Sequence, residues 1–233
     1  MNVEDLIKNS LQELQKISWE NEISNKDQKS KLLFPKYRED EQGKCQGREK
    51  KRISEQEARF LFIRELEKAE NTDFYYSVET PTQGKYTFSK DGEKVDPIID
   101  ENGQSGKIDV CIYDTNLNRK HLIEFKALNK DPHDFEKDFI KLKYEPKVSD
   151  EPNYFVHILK SYNKGTIEDP EHSLIEKYKA AFKITCKGAP PSKNVIVCLC
   201  ILEIPKKYKP KEQIIWFNEN DYPKKLNELL NEI

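Results

Sequence analysis

Apolar residues recur along this chain with two periods, and the places where the period changes mark its elements. Val3, Leu6, Ile7, Leu11, Leu14 and Ile17 repeat at helical spacing and predict an amphipathic helix over residues 3–17. Residues 20–52 are polar apart from Leu32, Leu33 and Phe34 before Pro35, and read as a long, partly ordered arm. Ser54-Glu55-Gln56-Glu57 has the form of a capping box, in which the Ser hydroxyl caps a free helical N–H and the Glu reaches back. It opens a helix that ends near Asn71 and carries Ala58, Leu61, Phe62, Leu66 and Ala69 as its apolar stripe.

Period-two alternation follows. Residues 74–79 read as a strand, Pro81 to Gly84 as a turn, and residues 85–89 as a short returning strand. Gly92, Pro97, Gly103 and Gly106 predict a loop over 90–106. Residues 108–113 and 121–126 both alternate and flank a polar turn, so they predict a hairpin. Asp131-Pro132 starts a helix with Phe135, Phe139 and Leu142 on its buried side. A strand over 154–159 precedes a second Asp-Pro start at Asp169-Pro170, whose helix buries Leu174, Ile175, Tyr178 and Phe182. The continuous apolar run 195–202 suits a strand buried on both faces. A short strand over 214–217 and a helix over 221–233 complete the order, which predicts a mixed α/β layer fold without internal repeats.

Length and composition narrow the class. A chain of 233 residues suits one domain with appendages, here an arm over 1–52 and a domain over 53–233. Aromatic residues make up 10% of it, which argues against general disorder despite 35% charged residues. The formal net charge of -2 excludes a globally basic nucleic-acid binder, so any polyanion site must be local. Lys44 to Arg52 carries five basic residues against Glu49, directly before the first domain helix, and Lys50, Lys51 and Arg52 are candidates for phosphate contact. The run Lys206 to Lys211 reads as a solvated loop. The five cysteines have no metal-binding spacing and read as reduced, buried thiols of a cytoplasmic protein. The N-terminus lacks the basic and apolar regions of a signal peptide, and no apolar run approaches the roughly 20 residues needed to cross a bilayer.

The chemistry concentrates in the predicted hairpin. Alternation puts Glu124 and Lys126 on one face of their strand, with Ile123 and Phe125 on the other. In the preceding strand it puts Asp109 with Cys111, and Ile108 with Val110 and Ile112. If the apolar sides of both strands face the core, Asp109, Glu124 and Lys126 converge opposite it. Two neighbouring carboxylates repel, and a divalent cation removes the repulsion. Oxygen-only ligands favour a hard ion such as Mg²⁺. A solvated Glu/Lys cross-strand pair is the structural alternative.

Gly106-Lys107-Ile108-Asp109, fourteen residues, then Glu124-Phe125-Lys126 resembles the signature of the PD-(D/E)XK nucleases, with Ile108 in the place of the eponymous proline. The resemblance covers roughly residues 54–160, where helix, antiparallel meander, helix and further strand follow in the family's order. It implies a restriction-endonuclease-like mixed sheet flanked by helices, and hydrolysis of nucleic-acid phosphodiesters in restriction, repair or defence. Asp109, Glu124 and the carbonyl of Phe125 would hold Mg²⁺ or Mn²⁺, and Lys126 would position the attacking water. The family's first helix often supplies an acid, for which Glu57 is the candidate, and the next helix a polar or basic residue, for which Lys141 is the candidate. The expected partner is nucleic acid, DNA ahead of RNA, with homodimerisation left open. Two rivals stand beside this expectation: an inactive binding module on the same fold, and an RNA-directed nuclease.

Overall fold

The computed structural model describes residues 2–18, 27–35, 53–70, 73–90, 93–99, 102–128, 132–146, 149–161, 166–167, 173–186, 193–203 and 212–231. Among them are the helices α1 (Val3–Leu14), α2 (Glu55–Lys68), α3 (Pro132–Tyr144), α4 (Leu174–Lys183) and α5 (Tyr222–Asn231). The strands are β1 (Tyr75–Lys90), β2 (Glu93–Ile99), β3 (Gln104–Tyr113), β4 (Arg119–Ala127), β5 (Asn153–Leu159), β6 (Val195–Ile201) and β7 (Ile214–Phe217). They form one seven-stranded sheet in the order β2-β1-β3-β4-β5-β6-β7. Pairing is antiparallel from β2 through β4, parallel from β4 through β6, and antiparallel again at β7. The protein is therefore a mixed α/β fold with helices on its sheet.

Both faces of that sheet are covered. On one, Ile7 and Leu11 of α1 and Leu61 and Phe62 of α2 pack with Val110, Ile112, Ile123 and Phe125. On the other, Phe135 and Phe139 of α3 and Tyr178 and Phe182 of α4 pack with Cys111, Leu122, Phe155 and Val197. Every residue of β5 is buried, as a strand between two helical layers must be. The predicted hairpin accordingly has no fully open face: Glu124 is buried, and Asp109 and Lys126 are only partly exposed. Cys111, Cys186, Cys198 and Cys200 are buried, and Cys45 lies outside the described residues. Among the described residues no helix is long and apolar enough to cross a membrane.

The sheet corrects several local expectations. Residues 81–84 do not turn the chain; β1 runs through them as one strand of 16 residues, with a register shift between Pro81 and Lys85. The backbone N–H groups that the shift frees, at Gln83 and Gly84, donate to the buried carboxylate of Glu145, at 3.2 Å from Gly84. Arg119 and the Tyr86 hydroxyl donate to the same carboxylate, at 2.5 and 2.9 Å, so a point beyond α3 secures the irregular stretch. The expected loop 90–106 contains β2 and the start of β3. There the strands approach so closely that a Cβ on Gly103 would lie 2.8 Å from the Tyr86 backbone.

Helix boundaries move as well. Asp169 and Pro170 lie outside the described residues, and α4 is capped instead by Ser173, whose Oγ accepts the Glu176 N–H at 3.2 Å. α2 ends at Lys68, earlier than Asn71. α1, assigned from sequence to a separate arm, supplies part of the apolar layer over the sheet, and Gln15 just after it donates to the Ile201 carbonyl at 3.0 Å.

Candidate active site

The site begins where β3 and β4 part. Their last registered pair toward the start of β3 is Val110 with Ile123. One residue beyond it, Oδ2 of Asp109 accepts the Phe125 backbone N–H at 2.8 Å, filling the place a ladder carbonyl would take. On the other side of Asp109, the pairs Val78–Val110 and Thr80–Ile108 bracket Glu79, whose φ of 50° is left-handed. For a non-glycine residue such a conformation costs on the order of 1 kcal/mol and shifts the pleat. Strict alternation accordingly fails here: Ile108 packs with Cys111 on the α3 side, not with Val110 and Ile112 on the α2 side.

β4 keeps its alternation. Glu124 and Lys126 both reach residues of α3, while the ring of Phe125 turns to the opposite face against Phe62, with centroids 5.9 Å apart. Their partners differ from the sequence expectation. Lys126 does not lie on Glu124; its Nζ pairs with Oδ2 of Asp138 at 2.6 Å. The cation on Glu124 is Lys141, which also contacts Oδ1 of Asp138 at 3.0 Å and the Lys107 carbonyl at 2.9 Å. Asp138 sits one turn before Lys141 on α3 and joins the two lysines.

Burial governs the electrostatics. Glu124 is only 3% exposed, and desolvation pushes its pKa well up. Lys141 opposes that rise, while the charges of Asp138 and Asp109 add to it. Burial raises Asp109 too, against the Phe125 hydrogen bond and the charges of Lys141 and Arg59. For both lysines burial disfavours the ammonium, but acids outweigh it and raise the pKa: Asp138 at Lys126, and Glu124 with Asp138 at Lys141.

α2 contributes differently from expectation. Glu57 does not enter the site; its carboxylate accepts the Ser54 hydroxyl at 2.5 Å within the helix cap. The acid that reaches the site is Glu55, whose Oε1 accepts the Ala127 N–H at 3.3 Å. Burial raises its pKa, and the charge of Lys126 opposes that rise. One turn on, Arg59 donates to Oδ1 of Asp109 at 3.2 Å, to Glu79, and to Gln56 at 2.5 Å. The i,i+4 spacing of Glu55 and Arg59 was the available signal, because residues so spaced share one helix face and Glu57 does not. Asp138 was the other residue missed, since a charge between Phe135 and Phe139 looks solvated along the sequence. Lys50, Lys51 and Arg52 lie outside the described residues.

The cluster thus gathers Glu55, Glu79, Asp109, Glu124 and Asp138 around Arg59, Lys126 and Lys141. Its acceptors are all oxygens, the donor type for a hard cation. Among the described residues no three acidic, histidine or cysteine side chains stand as a ready cage for a metal ion. The Lys141 ammonium stands between Glu124 and Asp138. No family model matches the chain, and neither a curated protein nor a solved structure matches it.

Proposed function

We propose that the chain is a metal-dependent nuclease of the PD-(D/E)XK type on a restriction-endonuclease-like fold, hydrolysing phosphodiesters of DNA ahead of RNA. One observation carries this reading. Asp109 is bound to the N–H of the residue that follows Glu124, so a half-buried and a fully buried carboxylate converge where two strands separate. Each acid makes the other's charge more costly, a cost that a divalent ion held between them would offset.

The residues suit Mg²⁺ or Mn²⁺: Asp109, Glu124 and the Phe125 carbonyl would hold the ion through hard oxygen donors. When bound, such an ion supplies positive charge at the phosphodiester and lowers the pKa of coordinated water. The protein's own groups do the rest. Arg59 holds Asp109 in place from α2. Asp138 orients Lys126, two residues beyond Glu124. There the Lys126 ammonium positions the attacking water and offsets charge that develops on the phosphate. Glu55, bonded to the strand end at Ala127, adds an acid that interacts with Lys126.

Purified protein incubated with Mg²⁺ or Mn²⁺ and separate DNA and RNA substrates tests the reading. Cleavage that disappears in Glu124→Gln supports it. Absence of cleavage with either metal and either substrate moves the chain to the binding-module reading.

A further inference from the structure

Lys141 has the surroundings of a bound cation more than those of a surface lysine. Its ammonium meets three oxygens: a carboxylate oxygen of Glu124, Oδ1 of Asp138 at 3.0 Å, and the Lys107 carbonyl at 2.9 Å. Its side chain is 12% exposed. The aliphatic stem crosses β3 at Gly106, where a Cβ would lie 3.2 Å from Lys141 Cδ, so the missing side chain leaves room for it. A divalent ion on the Glu124 carboxylate would repel an ammonium held at its Oε1.

We propose that Lys141 is a tethered counter-ion, which holds the cation position of this site until a divalent metal displaces it. The proposal rests on the metal-dependent reading above and assigns an order to it. Before loading, Lys141 neutralises Glu124 and keeps that buried carboxylate compatible with folding. On loading, the metal takes Glu124, and the ammonium leaves it on a flexible four-carbon stem. Lys107, whose carbonyl held it, carries a side chain that is 67% exposed, so this edge of β3 meets solvent. There the released charge serves as a phosphate contact. Metal therefore binds before nucleic acid, and Lys141 contributes to substrate affinity only in the loaded protein.

Two measurements decide this, both with full-length protein and Mn²⁺. The first is calorimetry on wild type, Lys141→Met and Lys126→Met. Each variant removes one positive charge from the same cluster, but only Lys141 holds Glu124. Lys141→Met should bind Mn²⁺ about tenfold more tightly than wild type, a gain of about 1.4 kcal/mol. Lys126→Met should tighten it distinctly less. Equal affinity in wild type and Lys141→Met overturns the proposal, as does equal tightening by both variants; either result leaves the nuclease reading standing. Absence of Mn²⁺ binding in all three proteins overturns both together.

The second measurement uses wild type alone, and decides the matter if Lys141→Met does not fold. Amine-directed labelling read by mass spectrometry should find Lys141 protected without metal and reactive at saturating Mn²⁺. Unchanged protection at saturation overturns the proposal.

Discussion

The ammonium of Lys126 and Oδ2 of Asp138 lie 2.6 Å apart, in a pair whose side chains are 15% and 10% exposed. An exposed pair contributes at most about 1 kcal/mol, but a sheltered one couples more strongly. A double-mutant cycle with Lys126→Met and Asp138→Asn, followed by urea unfolding, should give a coupling energy between about 1 and 3 kcal/mol. In the same series Lys126→Met should slow cleavage by about 10²–10³ if its charge stabilises the transition state. Cleavage at the wild-type rate removes Lys126 from the mechanism.

Asp109 has a structural duty separable from its proposed metal duty. Asp109→Ala leaves the Phe125 N–H without its acceptor, at a cost of about 1–3 kcal/mol. Asp109→Asn keeps an acceptor oxygen and should restore most of that stability while still losing Mg²⁺ affinity. Calorimetry on the Asn variant checks this. Affinity equal to wild type would remove Asp109 from the ligand set.

The basic run before α2 should act through phosphates. Neutralising Lys50, Lys51 and Arg52 should weaken binding across all sequences and flatten its salt dependence, by about one slope unit for each phosphate that is no longer neutralised. Binding isotherms at several salt concentrations measure this. An unchanged slope assigns the run to a solvated surface.

Stability should also fall in mild acid for a reason outside the site. His157 is fully buried, with Nε2 2.8 Å from the Leu128 carbonyl and Nδ1 2.7 Å from the Tyr178 hydroxyl. A carbonyl only accepts, so Nε2 carries the proton and Nδ1 accepts from Tyr178. Burial lowers the His157 pKa to about 4, from an ordinary value of 6.5. Above pH 6.5 both folded and unfolded forms are neutral and nothing changes. Between about 6.5 and 4 only the unfolded chain takes the proton, so stability declines as pH falls, by roughly 3 kcal/mol in total. Urea midpoints across that range should show this slope, and His157→Gln should flatten it. A wild-type slope retained in the variant would assign the effect to other groups.

Much of the layer order is legible from local periodicity, and the failures share one cause. Alternation suffices for β4, because it pairs regularly with β5, and this places Glu124 and Lys126 together. It fails at Asp109, where the left-handed Glu79 on the neighbouring strand disturbs the pleat. Pro81 and Gly84 are turn residues, yet the chain passes through them as a strand because Glu145 accepts the freed N–H groups. That acceptor lies more than 60 residues away, beyond any local pattern. Likewise the capping box at Ser54 is readable, but which first-turn acid faces the sheet depends on how α2 docks.

The span of chain between bonded partners divides the cluster by its order of assembly. Asp109 and Phe125 are 16 residues apart and Glu124 and Lys141 are 17, so β3, β4 and α3 can bring their charges together as one contiguous folding unit. Glu55 reaches Ala127 across 72 residues, and Arg59 reaches Asp109 across 50. Closing those longer loops costs more chain entropy. The contacts from α2 are therefore the natural last step of folding and the first to open. Amide exchange should reveal the Ala127 N–H before that of Phe125, because the first depends on a distant helix and the second on its own hairpin.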